Sequence, residues 1–242
     1  MNQTALITGA SKRIGRSIAE HLAAKGWNVA IHYNVSSVDA EQLVGRLQHN
    51  YPNQLFNAVR ANLSIEKEVE GLASSVASSF HEINLLVNNA SVFGKGHLKE
   101  TPVELFDHQF NVNLKAPFLL IRDFANLVKK GNIINLVDTR ITNNRSDFAA
   151  YTLSKKALWE LTKMAALELS PGIRVNAIAP GATLPPEGKD EGYLLKLAEN
   201  TPMKRPGGIA PVLKCLDFIL KNDYLTGQLL FADGGENLGR NV

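Results

Sequence analysis

Tyr151 and Lys155, in Tyr151-Thr152-Leu153-Ser154-Lys155, stand four residues apart within a helical pattern, so their side chains share one face one turn apart. An ammonium close to a phenol favours the phenolate and draws its pKa down from about 10. The pair predicts a tyrosine able to exchange a proton with a carbonyl, imine or alcohol near neutral pH. A carboxyl precedes them, Asp138 in Leu136-Val137-Asp138-Thr139. Were the fold to bring it to the phenol, it would repel a carbonyl oxygen unless protonated and would suit a substrate rich in N–H donors. Burial would raise its pKa and Lys155 would lower it, a balance the residues leave open. Its plain alternative is a loop acid at a strand end.

A second constellation opens the chain. Thr8-Gly9-Ala10-Ser11-Lys12-Arg13-Ile14-Gly15 follows a strand-like run and begins a helical one. Small residues there let backbone approach a pyrophosphate, whose charge the free N–H groups of the helix end accept. Sheets that bind NAD usually end their second strand with an acid on the adenosine ribose. This chain has Ile31-His32-Tyr33-Asn34-Val35-Ser36-Ser37 there, with no acid to repel a 2′-phosphate, while Lys12, Arg13 and Ser36 could contact one. The expected cofactor is NADP(H). The competing reading of Lys12 and Arg13 is solvated charge, although cations are unfavourable at a helix N-terminus without an anion.

The elements that must hold these groups are short β-branched runs alternating with amphipathic stretches. Strands are expected at 5–8, 28–32, 55–59, 85–88, 132–137, 174–179 and 228–231. Helices are expected at 13–25, 39–49, 66–80, 102–129, 149–169 and 210–220. Most strand runs are continuously apolar, as in parallel strands covered on both faces. Such alternation implies an α/β fold: a Rossmann-type, doubly wound parallel sheet of about seven strands, in a single domain over 1–242. The stretch 181–200, with Pro185, Pro186 and Gly188, reads as a long irregular substrate loop.

Taken together, Thr8-Gly9…Gly15, Asn88-Asn89-Ala90, Asn113, Tyr151-x-x-Ser154-Lys155 and Pro180-Gly181 resemble the short-chain dehydrogenase/reductase family, in its order and over essentially the whole chain. The resemblance implies a nicotinamide cofactor, Tyr151 as proton donor, Lys155 as its tuner and ribose contact, and Asn113 holding a relay water. It also implies a homotetramer. Cofactor contacts then fall on Gly9, Ser11, Lys12, Arg13, Ile14, Gly15, Tyr33, Asn34, Ser36, Asn62, Leu63, Asn89, Ala90, Ser91, Lys155, Pro180 and Gly181.

Two departures are informative: Arg13 where the family usually has glycine, and Asp138 where it usually has serine. Both recur in the branch of pteridine reductases and dihydromonapterin reductases, which Asn88-Asn89-Ala90-Ser91-Val92-Phe93 also resembles. That similarity implies an NADPH-dependent reductase of pterins or dihydropterins, with Arg13, Ser91, Phe93, Asp138 and Tyr151 on the substrate. Phe93 would stack on the ring opposite the nicotinamide; otherwise it is a core phenylalanine. Val35 departs from an arginine often found there. Asn62 replaces an adenine-binding aspartate, though an amide oxygen could still accept from the adenine amino group. The alternatives are a carbonyl reductase, such as a 3-oxoacyl thioester reductase, and a non-catalytic dinucleotide sensor. Arg240, in the tail after Asp233-Gly234-Gly235, is a further candidate contact.

Composition excludes several classes. The chain has 242 residues, 45% hydrophobic and 20% charged, with net charge +3, too small a charge to announce a nucleic-acid partner. No apolar run reaches the roughly 20 residues needed to cross a bilayer. Cys215 is the lone cysteine, and His21, His32, His49, His81, His97 and His108 show no ligand spacing, so no metal is expected. The strand-like start at Gln3–Thr8 argues against a signal peptide and for a soluble, cytoplasmic protein.

Overall fold

In the computed structural model, residues 3–186 and 188–239 are described. The elements run β1 (Thr4–Ile7), α1 (Arg13–Ala23), β2 (Asn28–Tyr33), α2 (Ser37–Asn50), β3 (Phe56–Arg60), α3 (Glu66–Val69), α4 (Leu72–Phe80) and β4 (Leu85–Asn88). They continue through α5 (Val103–Phe110), α6 (Ala116–Leu127), β5 (Gly131–Leu136), α7 (Ala149–Leu169), β6 (Ile173–Pro180), α8 (Glu191–Ala198), α9 (Ala210–Lys221) and β7 (Leu229–Ala232). The seven strands are all parallel, in the order β3-β2-β1-β4-β5-β6-β7.

Continuous apolar strands make sense in this sheet because both faces are covered. Along β1, Ala5 and Ile7 join a cluster with Ile18 and Leu22 of α1 and Leu216 of α9, while Leu6 faces Leu120 and Phe124 of α6. Each such side chain contributes roughly 1.5–3 kcal/mol by leaving water. The chain winds outward from β1 through β2 to β3, then returns beside β1 as β4. That reversal between β1 and β4 opens a crevice at their carboxyl ends, where open α/β sheets bind ligands.

Three expected elements differ. The helix expected over 66–80 breaks at Gly71, whose φ of +81° favours a residue without Cβ, giving α3 and α4. The one expected over 102–129 is continuous through α5 and α6 but widens into a π-turn at Asn111–Lys115. The expected irregular stretch 181–200 contains α8, which the Asp190 side chain caps by accepting from the Tyr193 N–H at 3.2 Å. Arg240 lies outside the described residues.

Candidate active site

The cofactor half of the crevice is made of backbone and locked amides. Gly9 has φ +62°, and a Cβ there would lie 3.0 Å from the Ala90 Cα. A Cβ on Gly15 would lie 2.3 Å from the Gly9 carbonyl oxygen, so α1 can start here only on glycine. Asn89 Nδ2 donates to the Thr8 and Gly9 carbonyls at 2.8 and 3.1 Å, and Thr8 Oγ1 accepts from the Asn89 and Ala90 N–H groups at 3.0 Å each. The turn is thus tied to the end of β4. Helix α1 begins with no side-chain cap and no acid in its first turn, leaving its N–H groups for an anion.

His32, which the sequence offers only as a histidine without ligand spacing, organises this turn. Its buried ring accepts from the Gly9 N–H on Nδ1 at 3.0 Å, and Nε2 lies 3.0 Å from the Ala61 carbonyl. Serving one donor and one acceptor requires the neutral Nε2–H tautomer. Burial lowers its pKa from 6.5 to about 4, against the opposing pull of the Ala61 carbonyl. A cleft of about 390 Å³ passes this point, lined by Gly9, Lys12, Arg13, Ile14, Gly15, Asn34, Asn62, Leu63, Asn89, Ala90 and Ser91. Its concave, glycine-walled base and anion-accepting helix end fit a dinucleotide pyrophosphate.

Several expected cofactor contacts are otherwise engaged. Lys12 pairs with Asp39 at 3.1 Å. Arg13, with φ +53° where glycine would be at ease, donates to the Pro185 and Leu184 carbonyls at 2.8 and 3.4 Å. Asn62 Oδ1 already accepts from the Ser64 N–H and hydroxyl at 3.0 and 2.7 Å, so its oxygen is filled by a local turn and its Nδ2 is left to meet a base. Tyr33, Ser36 and Ser11 are not among the residues lining the cleft: Tyr33 packs on the core, Ser36 precedes α2 and Ser11 is buried.

A second cavity of about 390 Å³ continues from the first, sharing Arg13, Ile14, Asn89 and Ser91 with it, and holds the reactive groups. Asp138 leaves the end of β5 and caps a 3-10 turn at Thr139–Thr142, its Oδ1 accepting from the Arg140 N–H at 2.8 Å. Its other oxygen accepts from the Tyr151 hydroxyl at 2.7 Å. Tyr151 is buried, and burial first, then the Asp138 carboxyl, holds its pKa well above the usual value, only partly offset by Ser91 and Arg140. Lys155 bonds elsewhere. The buried ammonium donates to the Leu136 carbonyl at 2.8 Å and lies 5.9 Å from the Tyr151 ring centroid; burial brings its own pKa down to about 8, against the pull of Asp138. The expected phenolate is therefore corrected to a neutral phenol donating to a carboxyl.

Asn113 sits in the π-turn, which carries its buried side chain into the site. Its Oδ1 accepts from the Val92 N–H and Ser91 Oγ, and its Nδ2 donates to the Val92 carbonyl and Ser154 Oγ, all between 2.9 and 3.1 Å. All four side-chain positions are filled, so a water on this residue would have to use its backbone. What the amide does is tie the Ser91–Val92 segment to α7.

Phe93 is 58% exposed and lines the cavity, so it is not a core residue. One face stacks on Phe148, at 4.2 Å between centroids, and Tyr151 meets it edge-on at 4.6 Å. Sequence reasoning missed Phe148, Arg140 and Glu236. The Arg140 guanidinium lies 4.4 Å from the Phe148 centroid and pairs with Asp147 at 3.2 Å, propping the aromatic pair. Phe148 stands three residues before Tyr151, a position that could have flagged it. Pro180 and Gly181 line the same cavity.

A model of the adh_short_C2 family, described as Enoyl-(Acyl carrier protein) reductase, matches residues 9–237. The chain belongs to the short-chain dehydrogenase/reductase family. It is 34% identical to 3-oxoacyl-[acyl-carrier-protein] reductase FabG of Staphylococcus epidermidis over 97% of this chain and 99% of that one. It is 31% identical to Pteridine reductase 1 of Leishmania tarentolae over 98% and 96%. Among solved structures, FolM Alternative dihydrofolate reductase 1 from Brucella suis in complex with NADP superposes with a TM-score of 0.93 at 35% identity, over 100% of this chain and 97% of that one. The pteridine reductase and FolM similarities support placing this short-chain reductase in the pteridine reductase-like branch. Among the described residues no group of histidine, cysteine or acids could hold a metal, and no helix is long and apolar enough to cross a membrane.

Proposed function

We propose that this short-chain oxidoreductase uses NADPH to reduce a C=N bond of a pterin or dihydropterin: dihydromonapterin, dihydrobiopterin or dihydrofolate. The observation that carries this reading is the Asp138 carboxyl facing the Tyr151 hydroxyl at 2.7 Å. The solved FolM neighbours in complex with NADP and the Leishmania pteridine reductase support the cofactor and the ring class.

When bound, NADPH would supply a hydride to the ring carbon of the C=N bond. The chain must then deliver one proton to the adjacent nitrogen. Tyr151, held as the neutral phenol, is the donor at hand, and its O–H can turn from Asp138 to a ring nitrogen. Asp138 keeps that proton in place and offers an acceptor to ring N–H groups. Lys155 has two donors beyond its bond to Leu136 and would hold the ribose. The exposed Phe93 ring offers a stacking surface worth about 0.5–1.5 kcal/mol beyond burial. The segment 181–200, clasped by Arg13 and carrying α8, would cover the substrate.

The second reading is 3-oxoacyl thioester reduction, favoured by the FabG relatives. Against it, a carboxyl beside Tyr151 opposes an oxyanion developing on a ketone. A dinucleotide sensor without turnover would have no use for the Tyr151–Asp138–Lys155 arrangement. The apolar residues Val103 and Phe106 on α5 and Leu153, Met164 and Leu167 on α7 are exposed, which supports assembly into a homotetramer. A lone free Cys215 fits the proposed cytoplasmic location.

Purified protein is expected to oxidise NADPH with dihydropterins and far more slowly with a 3-oxoacyl thioester. Turnover of the thioester with none of any dihydropterin would reverse the assignment.

A further inference from the structure

Glu236 lies outside the Tyr151–Asp138–Lys155 group, yet a built turn presents it to the same cavity. Asp233, itself buried, accepts from the Gly235 N–H on Oδ1 at 3.0 Å and from the Asn237 N–H on Oδ2 at 2.7 Å. Gly234 and Gly235 take φ of +64° and +87°, and a Cβ on Gly235 would lie 2.7 Å from Pro202 Cγ. The short helical turn that follows, Glu236–Leu238, packs against the one that begins after Asp138. Glu236 is exposed at its own end, so it stands at the rim rather than the floor.

Among the described lining residues, Asp138 and Glu236 are the two acids. The cations are differently engaged: Arg13 holds the Leu184 and Pro185 carbonyls, Arg140 holds Asp147, and Lys155 is buried on Leu136. Both Asp138 oxygens accept from protein groups. Partial burial, then the Asp138 and Asp233 carboxyls, push the Glu236 pKa upward, against the pull of Arg140 and a hydrogen bond with Thr139. Tyr151, Phe93 and Glu236 line the same cavity, with Glu236 on its solvent-facing side.

We propose that Glu236 determines specificity at the cavity mouth, admitting substituents with hydroxyl or N–H donors and disfavouring those that carry carboxylates. This rests on the pterin reading above and narrows it: a neutral, hydroxylated dihydropterin is preferred over dihydrofolate, whose glutamyl tail is anionic. The physical basis is Coulombic repulsion of like charges at a wet rim, modest in size and screened by salt.

The test compares dihydrobiopterin with dihydrofolate in wild type, Glu236→Gln and Glu236→Lys, at low and high salt. Wild type should favour dihydrobiopterin. The ratio of kcat/KM for dihydrofolate to that for dihydrobiopterin should rise roughly three- to tenfold in the Gln variant and further in the Lys variant, chiefly through KM. Salt alone should lower the wild-type KM for dihydrofolate and leave that for dihydrobiopterin nearly unchanged, a readout that needs no variant. An unchanged ratio in both folded variants, or a wild-type dihydrofolate KM insensitive to salt, would overturn the proposal while leaving pterin reduction intact. Turnover of neither pterin by wild type would instead fail the function reading, and this inference with it.

Discussion

The two halves of the crevice are built by opposite means. On the cofactor side the surface is backbone: Gly9 and Gly15 permit the turn, and Thr8, Asn89 and His32 spend their side chains holding it. On the substrate side the chemistry hangs on side chains at loop ends, with Asp138, Phe93 and Glu236 each supplied by a different connection. A backbone site can recognise what any member of the family binds. A side-chain site can change its substrate by exchanging one residue while the sheet stays as it is. The comparison also separates polar side chains that are saturated, such as Asn113, from those poised to move, such as the Tyr151 hydroxyl.

The sharpest way to break this division is Tyr151→Phe. It should leave folding and NADPH binding intact and lower kcat about 10²–10⁴-fold, because only the proton is removed; steady-state NADPH oxidation checks it. Gly15→Ala attacks the other half. With the new Cβ 2.3 Å from the Gly9 oxygen, the turn must shift, at about 1–3 kcal/mol in stability and with loss of dinucleotide binding. Thermal unfolding and titration of NADPH fluorescence would register both.

His32 gives the cofactor half a pH signature. Its folded pKa, about 4, is depressed below the unfolded value near 6.5, so the neutral ring stabilises the fold above pH 6.5. That contribution, on the order of 3 kcal/mol, drains away as pH falls from 6.5 to 4. Urea unfolding between those pH values should show wild type losing more stability than His32→Ala. Phe93→Ala is the mildest change: the lost stacking should raise KM for a pterin roughly three- to tenfold, leaving NADPH affinity unaltered.

Much of this arrangement was legible in the residues. The alternating apolar runs announced the parallel sheet because burial on both faces removes the usual period of two, and the strand-turn-helix glycines announced the cofactor side because only a residue without Cβ fits there. Asp138 was visible because it lies at a fixed remove from Tyr151. What could not be read was the traffic of hydrogen bonds. The Lys12–Asp39 pair, the filling of Asn62 Oδ1 and the raised pKa of Tyr151 all depend on partners distant in space or on local turns with no periodic signal. The π-turn at Asn111–Lys115 escaped for a related reason: one extra residue inside a helical pattern hardly alters its period. His32 escaped because a buried neutral imidazole has the same spelling as a core residue.

The central claim is that the carboxyl at position 138, facing the phenol, selects a nitrogen heterocycle over a ketone. Asp138→Ser tests it most directly, with kcat/KM measured for a dihydropterin and a 3-oxoacyl thioester in parallel. The expected result is a fall of at least about 10²-fold with the dihydropterin and an unchanged or improved rate with the thioester. A dihydropterin rate that survives the exchange, or a thioester rate that collapses with it, would contradict the account.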